Sequence, residues 1–334
     1  PETVQTGVVS GDLFMDATTP SWGQNDVTKR YSLPVSTEIR WARLYVVVYC
    51  GHMQNNYPGT VKVSFDCDGD GSYETVLGDE TLNVPYTYPA NDGTGPVMVN
   101  SHTTRVTSDY VMWYDVTSKI TSRNPGARVE TAPLDPKVFF DGRIKAITLL
   151  VAYDDGDSDQ VWYAVNQGHD VDSYYTDDYY GEDYKGETSF DTSGVSESVE
   201  KATLSVNHMA SQDGLYRFNG EDLIGGHYQG AYFGSNNWDV TDIVKVDGDN
   251  LLTYDRYGKV EGVSEFSGLY YKIILATLTI RQGKETPESE ETPDEDDPDT
   301  TSSGSTGSDS SDSSPATSSK NGYYGLTIPA AIMG

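Results

Sequence analysis

Residues 146–165 read Ala146-Ile-Thr-Leu-Leu-Val-Ala-Tyr-Asp-Asp-Gly-Asp-Ser-Asp-Gln-Val-Trp-Tyr-Ala-Val165. Two runs of aliphatic, β-branched and aromatic residues flank a stretch of Asp, Gly and Ser. Such runs favour the pleated, packed surface of a sheet, and the small polar residues between them supply a turn. The bland reading of Asp154–Asp159 is therefore a hairpin turn, and the sharper one a cation site. The same grammar recurs in Leu44–Tyr49, Thr60–Phe65, Tyr110–Tyr114, Ala202–Val206, Leu215–Phe218, Leu251–Asp255 and Tyr270–Ile280. No stretch keeps a helical period for three turns. The pattern predicts an all-β chain of the sandwich type.

Two parts of the chain echo each other, as a duplicated unit would. Trp113-Tyr-Asp-Val-Thr-Ser-Lys-Ile120 precedes the apolar run at 144–153, and Trp238-Asp-Val-Thr-Asp-Ile-Val244 precedes the run at 269–280. Upstream, Arg40-Trp-Ala-Arg-Leu-Tyr-Val-Val and Val199-Glu-Lys-Ala-Thr-Leu-Ser-Val open the two halves. In each, Asp or Thr is placed to bond a backbone amide at the strand end. The expectation is two jelly-roll-like β-sandwich domains in tandem, at 1–168 and 188–283, joined by a Tyr/Asp-rich connector at 169–187.

From Lys284 the composition changes to Glu, Asp, Pro, Ser, Thr and Gly, with no residue able to build a core before Tyr323. Such a segment cannot bury enough apolar surface to offset its ordering entropy. Residues 284–321 are expected to form a disordered acidic stalk. The short apolar segment 322–334 reads either as the remnant of an anchor or as a strand that docks on another subunit's sheet edge.

The chain has 52 Asp+Glu against 22 Lys+Arg, a formal charge of −30 over 334 residues. That balance excludes nucleic acid as a partner, because phosphates need basic neutralisation. It also argues against an anionic membrane face, and no apolar run is long enough for a membrane span. Copies of so acidic a chain meet only where cations screen them. The 25 Tyr, against 8 Phe and 5 Trp, suit surfaces that are half buried and half wet.

Asp66-Cys-Asp-Gly-Asp-Gly-Ser-Tyr-Glu74 places carboxylates at alternate positions followed by Gly, as in the first half of an oxygen-rich Ca²⁺ loop. Asp66, Asp68, Asp70 and Glu74 are the candidate ligands and Ca²⁺ the candidate ion. The twelfth position is Leu77, where such a loop uses Glu, so an acidic hairpin between strands at 60–65 and 72–77 is the other reading. Cys50 and Cys67 are the only cysteines. They read as one disulfide of an exported protein or as two thiols on neighbouring strands. Asp170–Glu187 holds Tyr174, Tyr175, Tyr179, Tyr180 and Tyr184 among seven acids. That mixture suits a wet subunit contact or a glycan platform, and equally a solvated loop between domains.

The histidines at 52, 102, 169, 208 and 227 stand singly, and no nucleophile elbow or phosphate loop occurs. Carboxylates are so abundant that the presence of some glycosidase-like pair carries no information. The sequence reading is that the chain is not an enzyme.

Gly11-Asp-Leu-Phe14, Arg40-Trp-Ala-Arg-Leu-Tyr-Val-Val-Val-Tyr-Cys-Gly51, Met53-Gln-Asn-Asn-Tyr57 and Phe65-Asp-Cys-Asp-Gly-Asp-Gly-Ser-Tyr-Glu74 together resemble a family of secreted surface proteins of methanogenic archaea, a domain of unknown function. The resemblance extends to about Gly283. It implies export, residence at the cell surface and a stalk-borne C-terminal anchor, and it supplies no catalytic residues. The resulting expectation is an extracellular structural subunit of a surface layer, sheath or filament, with copies of itself as partners. The alternative is a carbohydrate-binding or adhesive module that meets cell-surface glycans.

Overall fold

The structure is a computed structural model and describes residues 1–18, 24–52, 55–84, 95–97, 102–106, 108–173, 186–195, 198–209, 215–223, 233–255, 257–258, 266–267 and 270–283. The expected stalk at 284–321, the terminal segment at 322–334 and the five connector tyrosines lie outside those residues. The described strands belong to one compact unit, Pro1–Thr286. Among the described residues no helix is long and apolar enough to cross a membrane.

Strand β1 (Glu2–Val9) comes first. It is followed by β2 (Asp12–Thr18), β3 (Asp26–Arg30), β4 (Glu38–Tyr49), β5 (Gly59–Asp66) and β6 (Thr75–Leu82). Next come the short β7 (Gly95–Val97) and β8 (Thr103–Val106), then β9 (Asp109–Asp115), β10 (Gly126–Pro133) and β11 (Ile144–Asp154). The second series is β12 (Gln160–Ser173), β13 (Gly186–Asp191), β14 (Val199–Met209), β15 (Leu215–Phe218), β16 (Glu221–Asp222), β17 (Phe233–Asp239) and β18 (Asp249–Asp255). The small pair β19 (Tyr257–Gly258) and β20 (Phe266–Ser267) precedes the last strand, β21 (Tyr270–Gln282).

The first series forms sheets ordered β2-β11-β4-β9-β8 and β3-β10-β5-β6. The second forms sheets containing β12-β21-β14-β17 and β13-β18-β15-β16, with β1 added outside β12. Position by position the orders match: β2 corresponds to β12, β11 to β21, β4 to β14 and β9 to β17. Each series is a jelly roll, so the fold is all-β and built from two sandwiches, as the pattern predicted.

Three apolar layers hold the four sheets in a stack. Val63, Phe65, Leu44, Val46, Met112 and Leu149 fill the first sandwich. Leu204, Trp238, Phe218, Leu252, Tyr254 and Leu278 fill the second. A third layer, with Trp41, Tyr45, Val111, Leu150, Tyr163 and Leu275, lies between the sheet of β4 and the sheet of β21. These two inner sheets are packed on both faces. That is why β11 reads as an unbroken apolar run and β5, in an outer sheet, as an alternating one. Each large side chain so buried contributes about 1.5–3 kcal/mol.

The Asp-Val-Thr echoes do the same work in both halves. Val116 N donates to Ala42 O at 3.1 Å, and Val240 N to Ala202 O at 2.9 Å. Asp115 Oδ1 accepts the Thr117 amide, and Asp239 Oδ1 accepts the Thr241 amide. Thr117 Oγ1 and Thr241 Oγ1 then accept the amides of Ala42 and Ala202, both at 2.9 Å. A strand end is thereby tied to its neighbour by one short motif.

Two readings change. The turn at 154–159 is a corner and not a hairpin, because β11 pairs with β2 and β4 while β12 pairs with β1 and β21. Residues 160–168, grouped with the first half in the sequence, therefore lie in the sheet of the second series. Local composition cannot tell a hairpin from a corner, since both need the same turn residues.

Candidate functional site

The acidic turn joins β5 to β6, which pair antiparallel as expected. Asp66 is fully buried. Its Oδ1 accepts the Gly69 amide at 2.7 Å and its Oδ2 the Gly71 amide at 2.8 Å. The chain can wind round this carboxylate because Gly69 and Gly71 adopt φ of 80° and 97°, which favour glycine. Asp70 Oδ1 accepts the Ser72 amide at 2.6 Å and Asp68 Oδ1 the Asp70 amide at 3.1 Å. Carboxylate oxygens of Asp66, Asp70 and Glu74 lie within 4.8 Å of one another, a set that could hold a metal ion; Asp68 is not in that set. Arg30 Nη2 approaches Asp66 Oδ2 at 3.5 Å and supplies part of the neutralising charge.

The two cysteines are free thiols. Cys50 Sγ bonds His52 O at 3.1 Å, and Cys67 Sγ lies 3.2 Å from Thr75 Oγ1. The expected bridge fails on geometry. Cys50 O accepts the Asp141 amide at 3.2 Å, and the adjoining Phe140 packs against Gly59 at the start of β5. Cys67 follows the far end of that strand, whose length at about 3.3 Å per residue is several times what a disulfide can span.

A cluster the sequence gave no sign of lies between the two jelly rolls. Asp109, at the start of β9, is fully buried. Its carboxylate meets Lys145 Nζ from β11 at 2.7 Å and Lys272 Nζ from β21 at 2.6 Å. Burial alone would raise the Asp109 carboxyl, but the two ammonium groups hold it well below the usual range. Burial pushes the Lys145 ammonium down despite its partner. Beside them on β12, His169 is fully buried and neither ring nitrogen has a hydrogen-bond partner. Burial, with Lys272 second, pushes its imidazole down to about 3. The next residue, Asp170, accepts the Tyr254 hydroxyl at 2.6 Å and so links this sheet to the outer one. Such a cluster holds charges apart from water and fastens the two halves together.

An open groove runs on the other side of the inner layer. Its volume is about 460 Å³. One wall is β2, with Asp12 and Asp16, and the floor is the face of β14, β17 and β21, with Ser205, Ser235 and Asn237. Ser205 Oγ bonds Asn237 Oδ1 at 2.6 Å, and Asn207 Nδ2 bonds Ser235 Oγ at 3.0 Å. These residues alternate with Leu204 and Val206, which face the second core. The alternation Thr203-Leu-Ser-Val-Asn207 announced one polar face, and nothing local said that it would line a groove.

Similar solved structures include PNGase F, "a glycosylasparaginase from Flavobacterium meningosepticum", at 10% identity and a TM-score of 0.25, over 83% of this chain and 96% of that one. A putative secreted protein from Parabacteroides distasonis matches at 9% identity and a TM-score of 0.22, over 83% of this chain and 89% of that one. A Streptomyces avermitilis alpha-L-rhamnosidase matches at 14% identity and a TM-score of 0.21, over 83% of this chain and 28% of that one. At such scores these likenesses carry no residue, substrate or reaction to this chain. The expectation that the chain is not an enzyme is nevertheless corrected: the matches include a glycosylasparaginase, so the exclusion of catalysis is withdrawn. No curated protein matches the sequence. One family profile, described as "Protein of unknown function (DUF3344)", matches residues 1–281, and the chain belongs to that family.

Proposed function

We propose that the chain is an extracellular structural subunit of an archaeal cell envelope, as a surface layer, sheath or filament. The single observation that supports this reading is a four-sheet body whose inner sheets end, among the described residues, in edge strands, β8 in one and β1 and β17 in the other. Edges are ready templates for lateral association. At a charge of −30 that association requires cations. In this reading residues 284–321 act as tether and residues 322–334 as attachment. Calcium held by Asp66, Asp70 and Glu74 is the screening ion at the acidic turn. The test is negative-stain imaging of concentrated protein with calcium and after chelation. Ordered sheets or tubes that disperse on chelation support the reading, and dispersed monomers under both conditions refute it.

A second reading, a carbohydrate-binding surface module, is supported by the hydroxyl, amide and carboxylate groups that line the groove. Retention of the monomer on a glycan array, lost when the groove is altered, would favour it.

A further inference from the structure

The duplication makes the groove intelligible. Register ties the two inner sheets together residue by residue: Arg43 faces Asp115 as Thr203 faces Asp239, and Tyr45 faces Trp113 as Ser205 faces Asn237. In the first half this face is filled. Tyr45 is 1% exposed, and Arg43 stacks on Trp113 with its guanidinium carbon 4.1 Å from the ring centre. In the second half the same positions carry Thr203, Ser205 and Asn237, which are too small to fill the space.

The strand next to that face differs too. Beside β12 lies an extra strand, β1, paired from Gln5↔Val165 to Val9↔Val161 and turning Val9 into the layer that also holds Tyr45 and Val111. The counterpart of β12 is β2. Among the described residues β2 pairs with β11 alone. Asp12, Leu13, Met15, Asp16 and Ala17 of β2 line the groove, so it runs along a strand whose second edge has no partner among the described residues.

We propose that this groove is a strand slot: it receives an extended segment of a partner protein, which pairs with β2 as β1 pairs with β12. A strand edge offers a row of backbone donors and acceptors at a two-residue spacing, which suits a peptide. The floor of Ser and Thr side chains calls for small or hydroxylated residues facing it. The charge chooses the rest. Asp12, 47% exposed at its side chain, has its nearest cation, Arg281, at 3.9 Å, and Asp16 is paired with Lys29 at 2.8 Å. Asp16 is therefore met, and the weakly paired Asp12 calls for one Lys or Arg beside it in the incoming strand; the charge of −30 weighs against a second copy of this chain. This inference stands whether or not the chain forms an envelope lattice.

The test is a random peptide library displayed on phage and panned on the purified full chain, followed by titration of the recovered peptides. The expected result is extended sequences with Lys or Arg flanking Ser, Thr or Val. Their affinity should fall at least tenfold in Ser205→Tyr, which fills the slot as Tyr45 fills its counterpart, and also in Asp12→Lys. Circular dichroism checks both folds, and if Ser205→Tyr does not fold, Asp12→Lys decides. Recovery of no peptide, or of peptides that bind the folded variants as tightly as the parent, overturns the slot. So does a glycan, found on an array, that occupies the groove and is lost in the same variants while no peptide is recovered.

Discussion

Lowering the pH from 7 to 5 should cost this protein about 4 kcal/mol of stability through two histidines. His169 on β12 is fully buried without a hydrogen bond to either ring nitrogen. His208 on β14 is fully buried with Nε2 at 3.0 Å from Asn236 Oδ1. Burial pushes the first down to about 3 and the second to about 4, from 6.5. The unfolded chain therefore takes up two protons near pH 6.5 that the folded chain refuses. Their contribution is complete above that pH and is lost as pH falls toward the two folded values. Integrating the linkage from pH 7 to pH 5 gives about 2 kcal/mol per histidine. Carboxylates held below their usual range, Asp109 above all, add to the loss only at lower pH. Urea unfolding followed by tryptophan fluorescence at both pH values measures the difference directly. His169→Gln should remove about half of the pH dependence, whatever it does to stability at pH 7. A pH dependence below about 1 kcal/mol, or one unchanged in His169→Gln, would refute the assignment of two neutral buried imidazoles.

Asp109→Asn leaves Lys145 and Lys272 buried without their carboxylate and should destabilise by about 3–5 kcal/mol in urea; a loss under about 1 kcal/mol would show that the cluster is solvated. Thr117→Ala and Thr241→Ala each remove one cap on a matching strand end and should cost about 1 kcal/mol apiece, alike in the two halves. Alkylation of denatured, unreduced protein followed by mass measurement should label both Cys50 and Cys67, and protection of the pair would restore the bridge. If the acidic turn binds calcium, saturating Ca²⁺ at about a hundred times Kd raises stability by about 2.7 kcal/mol. Asp70→Ala should abolish that gain, and an unchanged melting temperature on adding Ca²⁺ to the parent would count against the site.

Strand content was legible because it is local. The run Ala146–Tyr153, the alternation in Gly59–Asp66 and the glycines at 69 and 71 announce strands and a turn without help from distant residues. The two Asp-Val-Thr motifs were legible for the same reason, since each bonds within a few residues of itself and to one neighbouring strand. The buried charges were not. Lys272 and Asp109 are 163 residues apart in sequence, and an isolated Asp in the run Ser108-Asp-Tyr110 looks like any turn residue. The cysteine pair misled for a related reason: proximity in sequence implied proximity in space, while β5 carries its two ends far apart.

The amino-acid sequence by itself determined that the part of the chain before Lys284 is of the all-β class and that its two halves share one plan, because side-chain shape, alternation and turn chemistry act over a few residues. Tertiary structure decided the rest. Whether the acidic corner at 154–159 folds back or crosses to a new sheet depends on which long strand finds an unpaired neighbour and a face to bury. That choice stacks two sheets in the interior, brings Asp109 to its lysines, and leaves a polar groove along β2.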